Sequence, residues 1–421
     1  MNIIVLTNCS WDDTGSVGNT LSNWFGGWKD ANFSNLYSRE EMPNNHCCDS
    51  YFKVSPTNIL RHFFSPWNIG YEFKNCAYQE KKQSAESNLI DTTRGKKSRE
   101  LLLIIAEIVY SSKIWLNKKI KSYITKQNPD IAFCFAISDP FRYHLCKYLK
   151  SLSVPIAMYI ADDVYGAYIK KKGFVTKRYK KRFESMIKMA DKVYGASEMM
   201  CEKYSSLFGV KATPLYKGCI LSKPKTHHNT PIRLAYAGNL FYGRSDTLGA
   251  VAKALQEINE INGPVAQLEI YTGSPITKEL DQTLNIAGSS RIMGQKPYSE
   301  IVEILKTVDI VLHVESFEQE QIDIVKYSFS TKIIDCLQSG SVMMVVGPKG
   351  IASVEYPRSI SGTIVVDDTK ELLSILTFIC DNPNCLLERA KSIHAVASRD
   401  FPIEKVRNKL RAEFGSILST V

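Results

Sequence analysis

The feature that most constrains this chain is a repeated alternation of short apolar runs with longer stretches of helical periodicity. Parallel sheets covered by helices on both faces read this way, because their strands are buried on both sides. In the first half, Ile3–Thr7, Ile131–Phe135, Ile156–Ile160 and Lys192–Gly195 read as strands. The second half restarts the pattern with strands at Leu234–Ala237, Leu268–Thr272, Ile310–Val314, Val342–Val346 and Thr363–Val366. Helices are predicted there at Asp246–Ile258, Ser299–Lys306 and Thr331–Gln338, and from Glu388 to Ile417 with a break near Pro402. Between the halves, Leu221 to Thr230 is polar and aperiodic and contains Pro224, so it reads as a linker with His227 and His228 exposed to solvent. A chain of 421 residues suits two domains of about 200 each. The expected fold is therefore α/β, with two Rossmann-like domains facing a central cleft. The boundaries are set at 1–220, completed by a terminal helix at about 403–421, and at 221–402.

Two stretches of the first half behave differently. Residues 28 to 97 are rich in Asn, Ser and aromatics and show no resolvable pattern. A long helix is predicted from about Ser98 to Lys126, with its exit at Pro129-Asp130.

Charge narrows the partners. The net charge is +10, and Lys170 to Lys188 holds nine Lys or Arg against one acid, Glu184. A second basic stretch, Lys113 to Lys126, alternates with Ile114, Trp115, Leu116, Ile120, Tyr123 and Ile124. Cations interleaved with apolar residues suit an anionic membrane surface or an acidic ligand, and equally a solvated helix face. The eleven cysteines are odd in number and form no CxxC pair, so zinc is not expected and free thiols point to the cytoplasm. The N-terminus runs straight into a strand, which is no signal peptide, and the apolar run Leu101 to Tyr110 is too short to span a bilayer.

Four segments carry candidate chemistry. Tyr236-Ala237-Gly238-Asn239-Leu240-Phe241-Tyr242-Gly243-Arg244 joins a strand to a helix, where ligands of open parallel sheets bind. Its glycines admit close backbone approach, and Arg244 can grip a diphosphate with two parallel hydrogen bonds. In Phe329 to Gly340, Ser330 or Thr331 can cap a helix whose first turn holds Lys332. A cation there opposes the helix dipole unless an anion is bound. Asp162 and Asp163 end an apolar strand and suit a sugar hydroxyl, a base, or a plain helix cap. The loop Asn8 to Asn19, with Gly15 and Gly18, lacks the GxGxxG dinucleotide pattern and suits an acceptor or a donor phosphate. Walker A, GxSxG and HExxH sequences are absent.

In order and spacing these elements resemble the GT-B glycosyltransferases, in particular retaining glycosyltransferase family 4. That family carries Gly-Arg-Leu-x-x-x-Lys after the first strand of its second domain, and Gly238 to Arg244 matches it. Asn239 stands at the arginine position and Arg244 at the lysine position, so Lys332 takes over as the second diphosphate cation. The family's paired glutamates fall on Tyr327 and Asp335, five residues before Gly340. Asp335 inherits the ribose contact, whereas Tyr327 is a departure. Phe329 to Lys332 and Tyr159 to Tyr165 are similar to members that build surface polysaccharides, such as lipopolysaccharide O-antigen or capsule.

The resemblance implies transfer of a sugar from a nucleotide-sugar donor to a saccharide or lipid-linked oligosaccharide acceptor, with retained configuration. The second domain would bind the donor through Gly238, Asn239, Ser330, Thr331, Asp335 and Tyr327. Arg244 and Lys332 would stabilise the leaving diphosphate. The first domain would bind the acceptor near Asp162, Asp163, Gly15 and Gly18. No metal and no other cofactor is implied, since Asp162-Asp163 is not an Asp-x-Asp pattern. The expected location is cytoplasmic, peripheral on the inner face of the inner membrane. Two rivals are a sugar-nucleotide 2-epimerase of the same fold and a non-enzymatic nucleic-acid-binding protein, and no binding motif for nucleic acid is found.

Overall fold

The computed structural model describes residues 1–74, 104, 107–169 and 173–420. The chain divides into two compact units, one formed by Met1–Leu215 with Arg407–Val421 and one by Tyr216–Val406. Each is built on a parallel sheet, as the apolar alternation predicts.

The first unit holds strands β1 (Asn2–Leu6), β2 (Asn32–Tyr37), β3 (Ser50–Lys53), β4 (Tyr71–Lys74), β5 (Ile131–Phe135), β6 (Ile156–Ile160), β7 (Lys192–Gly195) and β8 (Ala212–Pro214). They lie in the order β4-β3-β2-β1-β5-β6-β7-β8, and only the β3/β4 pair is antiparallel. Strands β2, β3 and β4 fall in the stretch read as patternless. Asn32, Ser34 and Asn35 break the apolar run of β2, yet Asn35 is buried because its side-chain amide donates to Val5 O at 3.0 Å and Thr7 Oγ1 at 2.9 Å. The later helix turns from Arg407 belong to this unit: Arg407 Nε donates to Asn23 O at 2.9 Å, Tyr194 donates to Glu413 Oε2 at 2.6 Å, and Phe414 packs 6.1 Å from Phe25.

The helix predicted over Ser98–Lys126 is corrected. Residues 107–111 are helical, and a separate helix runs Lys118–Gln127. The break between them turns through Lys113 at φ 60°, which swings Trp115 into the core with its indole N–H on Tyr110 O at 2.8 Å. Asn117 then caps the second helix through the amides of Lys119 and Ile120. Residues 75–97 of the patternless stretch, most of 98–106, and Lys170, Lys171 and Lys172 lie outside the described residues.

The second unit holds β9 (Ile232–Ala237), β10 (Ala266–Tyr271), β11 (Ser290–Gly294), β12 (Ile310–Val314), β13 (Val342–Val346) and β14 (Ile364–Val366), all parallel, in the order β11-β10-β9-β12-β13-β14. This is the doubly wound order that reverses direction between its first and fourth strands. The reversal falls between β9 and β12, whose carboxyl ends lead into Gly238 and Glu315. The segment Leu221 to Thr230 is without regular structure but is tied to this unit, with Ser222 N on Gln338 O, Lys225 N on Gly340 O and Lys225 Nζ 2.9 Å from Asp309. His227 is exposed and His228 partly so. The terminal helices run Cys385–Asp400 and Ile403–Thr420, parted at Phe401-Pro402.

Candidate functional site

The switch point of the second unit gathers a charged cluster. The 19-residue helix Arg244–Asn262 starts at Gly243, which sits at φ 69° with no side-chain cap, and its first amide, that of Arg244, donates to Phe241 O at 3.5 Å. A Cβ on Gly243 would lie 2.3 Å from Ser316 Oγ, so only glycine fits this turn against the loop after β12.

Arg244 is buried and turned inward. Its Nε lies 3.2 Å from Glu315 Oε2, its Nη2 3.2 and 3.1 Å from the two Glu315 oxygens, and its Nη1 3.0 Å from Asn239 Oδ1. The bidentate fork predicted for a diphosphate is therefore engaged by Glu315, and Asn239 orients the guanidinium. Fully buried His313 sits two residues before Glu315 on the same strand face, with Nε2 3.1 Å from Glu315 Oε1 but without hydrogen-bond alignment. Burial pushes the Glu315 carboxyl up, yet His313 and Arg244 outweigh it and hold it at about 2. Burial pushes His313 down, Glu315 opposes the fall, and Lys332 and Arg244 add to it.

Lys332 opens the short helix Lys332–Gln338 and lies half-buried across the switch point. Its Nζ donates to Tyr236 Oη at 3.2 Å and sits 5.1 Å from the centre of that ring. Among the described residues it has no carboxylate within ion-pair distance. A Cβ on Gly238 would lie 2.0 Å from this Nζ, so the missing side chain is what admits the ammonium. Burial and the nearby Arg244 lower Lys332 to about 8.

Asp335, one turn further along, accepts from Tyr298 Oη at 2.7 Å and more weakly from Gln338 Nε2 at 3.4 Å. Burial raises its carboxyl, while Tyr298, Lys217 and Lys332 oppose the rise. Lys217 follows Tyr216, whose ring packs 4.8 Å from Phe329 and 5.1 Å from Tyr356. Together Arg244, Lys332 and Lys217 face Glu315 and Asp335, which leaves one positive charge in excess. A side-chain cluster with net positive charge at the start of a long helix suits an anion such as a diphosphate.

Other predicted residues behave differently. Neither Ser330 nor Thr331 caps the helix: Thr331 is itself helical with no side-chain cap, and Ser330 instead donates its amide to Ser353 Oγ at 2.9 Å. Tyr327 lies beside Lys326, 5.6 Å from its Nζ. In the first unit, Asp163 accepts from Lys203 Nζ at 2.5 Å, from Tyr204 Oη at 2.8 Å and from Gly166 N at 3.2 Å. Asp162 is exposed beside it. Gly15 precedes the helix Ser16–Phe25, and a Cβ on Gly18 would collide with the backbone of Asp12, so Gly18 lets that helix pack on its own loop.

Sequence reading missed Tyr236, His313, Glu315, Tyr298 and Lys217. The signal for the central pair was present: His313 and Glu315 are two residues apart at the end of an apolar strand, which places both on one face. Among the described residues no group of His, Cys, Asp and Glu is arranged to hold a metal ion.

No protein family and no curated protein matches the chain by sequence. Solved structures do match in fold. Anabaena HepE, crystallised with UDP, superimposes with a TM-score of 0.65 at 11% identity, covering 99% of this chain and 100% of its own. Sucrose-phosphate synthase from Thermosynechococcus elongatus gives 0.62 at 11% identity, covering 100% of both chains. A UDP-forming trehalose-phosphate synthase from Burkholderia xenovorans, solved with glucose-6-phosphate, gives 0.58 at 8% identity, covering 98% and 100%. Two parallel-sheet units in one chain, matched by these proteins over nearly its full length, make this an α/β protein of the GT-B fold.

Proposed function

We propose that the protein is a glycosyltransferase that moves a sugar from a nucleotide-sugar donor, a UDP-sugar in the first instance, to a saccharide acceptor. The observation that carries this reading is Lys332: a half-buried ammonium without a carboxylate partner among the described residues, laid over Gly238 at the carboxyl end of β9, at the reversal in strand order. An anion supplies the missing counter-charge. UDP in the HepE crystal and the UDP-forming activity named for the trehalose-phosphate synthase support a uridine donor.

In the proposed reaction the bond between the sugar's anomeric carbon and the diphosphate oxygen breaks as an acceptor hydroxyl bonds to the same carbon. Lys332 and the first amides of helix Arg244–Asn262 take up the charge that develops on the leaving diphosphate. Arg244 acts through position, holding Asn239 and neutralising Glu315. Asp335 accepts from the ribose, and the first unit receives the acceptor, with Asp162 on that side. Configuration is retained, and the leaving phosphate takes the acceptor proton, so no separate base is needed. The resemblance of Phe329–Lys332 and Tyr159–Tyr165 to surface-polysaccharide enzymes supports an acceptor of that class. Free cysteines support a cytoplasmic site of action, and among the described residues no helix is long and apolar enough to cross a membrane.

The test is a thermal-shift screen against UDP, GDP, ADP, CMP and their sugar conjugates, with and without magnesium. Stabilisation by one nucleotide that Lys332→Ala removes supports the assignment. A shift that survives Lys332→Ala, or no shift with any nucleotide, refutes it.

A further inference from the structure

We propose that the turn at residues 60–67 is a docking wedge for an anionic lipid bilayer. Leu60, Phe63, Phe64 and Trp67 are 52%, 51%, 94% and 69% exposed. The chain's other tryptophans, Trp11, Trp24, Trp28 and Trp115, are all buried. Scattered exposed apolar residues are ordinary, but two phenylalanines, a tryptophan and a leucine within eight residues are a patch with a purpose.

The turn is anchored, so its exposure is built in. Ser55 caps the helix Pro56–Arg61, Ile59 and Ile69 are buried, and Asn58 Oδ1 accepts from Gly70 N at 2.6 Å. Asn117 Nδ2 donates to Pro66 O at 2.6 Å and to Ile69 O at 3.0 Å. With its base fixed, the turn directs Phe63 and Phe64 outward, where their rings pack edge-on against each other at 5.4 Å.

Cations surround it. Asn117, which grips the turn, also caps the helix Lys118–Gln127, and so places exposed Lys118 and Lys119 beside the aromatics. Lys119 Nζ donates to Gly70 O at 2.7 Å, and exposed Arg61 rises from the turn itself. No carboxylate occurs from Pro56 to Tyr71. Aromatic rings at the level of lipid headgroups with a rim of Lys and Arg match the chemistry of an anionic leaflet, where each cation adds attraction. Glu40, which accepts from Thr57 at the base of the turn, is paired with Lys53, and among the described residues Arg61, Lys118 and Lys119 have no carboxylate within ion-pair distance, which favours an anionic lipid surface over an ordinary protein partner. Of the apolar residues in the basic stretch Lys113 to Lys126, Trp115, Ile120, Tyr123 and Ile124 are buried and Ile114 and Leu116 are half-buried. The wedge is independent of the nucleotide site, so failure of either proposal leaves the other intact.

The experiment uses the full chain with vesicles of phosphatidylcholine, with and without phosphatidylglycerol. Trp67 is the one tryptophan among the five placed to report insertion. The expected result is co-sedimentation at least tenfold stronger on anionic vesicles, with a blue shift of emission that Trp67→Phe removes. Phe64→Asp should weaken binding at least tenfold, and Arg61→Glu with Lys118→Glu should abolish the anionic preference. All four positions are exposed, so the variants fold. The proposal is overturned by no binding to anionic vesicles at low salt, by a blue shift that persists in Trp67→Phe, or by unchanged binding of Phe64→Asp. A dimer that forms in solution and is lost in Phe64→Asp also overturns it, assigning the patch to a second copy of the chain.

Discussion

The ammonium of Lys332 takes the space a side chain would occupy on Gly238: an ideal Cβ there would lie 2.0 Å from Nζ. Two residues 94 positions apart are thus matched in size, one supplying a cation and the other the room for it. Because Nζ has no carboxylate partner among the described residues, removing it should leave the fold intact. Lys332→Ala is expected to weaken nucleotide diphosphate binding by ten- to a hundredfold, the range of a hydrogen bond to a charged group, with an unfolding midpoint near pH 7 that does not fall. Gly238→Ala should weaken binding in the same direction by displacing the ammonium. Titration calorimetry with UDP, beside denaturant unfolding, separates the two quantities.

The same lysine sets a pH dependence. Its folded value of about 8 lies below the ordinary 10.5, from burial first and Arg244 second. An anion binds the protonated form, so affinity is full below pH 8 and falls as pH rises through it, by up to about tenfold per unit. Without ligand the sign reverses: the unfolded chain keeps this proton up to 10.5, so stability contributed by this group rises between pH 8 and 10.5. Binding measured from pH 7 to 9.5 should show the fall in the wild type and a flat profile in Lys332→Met.

Arg244 and Glu315 should behave as a structural pair. Arg244→Ala leaves a buried carboxylate without its partner and is expected to destabilise the protein by about 3–5 kcal/mol. Arg244→Lys should not restore it, because a single ammonium cannot reach both Glu315 oxygens and Asn239. Glu315, held at about 2 against an ordinary 4.5, contributes stability that is complete above pH 4.5 and is lost as pH falls from 4.5 towards 2. Denaturant unfolding between pH 2 and 7 measures it, and Glu315→Gln should remove that part of the acid sensitivity.

Asp335 is tested by the sugar of the nucleotide. If its carboxylate accepts from a ribose hydroxyl, UDP binds more tightly than its 2′,3′-dideoxy analogue. In Asp335→Asn that gap is expected to shrink about tenfold, because a hydrogen bond to a charged acceptor is replaced by one to a neutral one. Tyr298→Phe, which removes the 2.7 Å contact, should move it less. Competition binding with the two nucleotides gives the ratio directly.

The two adjacent aspartates of the first unit should separate. Asp163 holds Lys203, Tyr204 and the amide of Gly166, so Asp163→Asn is expected to destabilise by roughly 2 kcal/mol and to leave nucleotide binding unchanged. Asp162→Asn should stay within about 0.5 kcal/mol of wild type while lowering turnover with acceptor. Thermal unfolding and product formation distinguish the pair.

Much of the sheet framework was legible because strands buried on both faces must be largely apolar, as β5, β6 and β13 are along their whole length and β12 is at every position but His313. Strand β2 was not, because its buried Asn35 is satisfied by β1 partners that sequence does not reveal. The broken helix around Lys113 was also illegible, since burial of Trp115 outweighs the local helical pattern.

The sequence alone determined the alternation that makes two doubly wound sheets, and it singled out Gly238, Asn239, Arg244, Lys332 and Asp335. Their partners were decided only by tertiary structure. Which cation faces a ligand depends on where the carboxylates end up, and Glu315 reaches Arg244 because β9 and β12 lie side by side across the reversal in strand order. That adjacency joins residues 71 positions apart, and no local pattern encodes it. It turns Arg244 inward onto Glu315 and leaves Lys332 without a carboxylate in reach among the described residues.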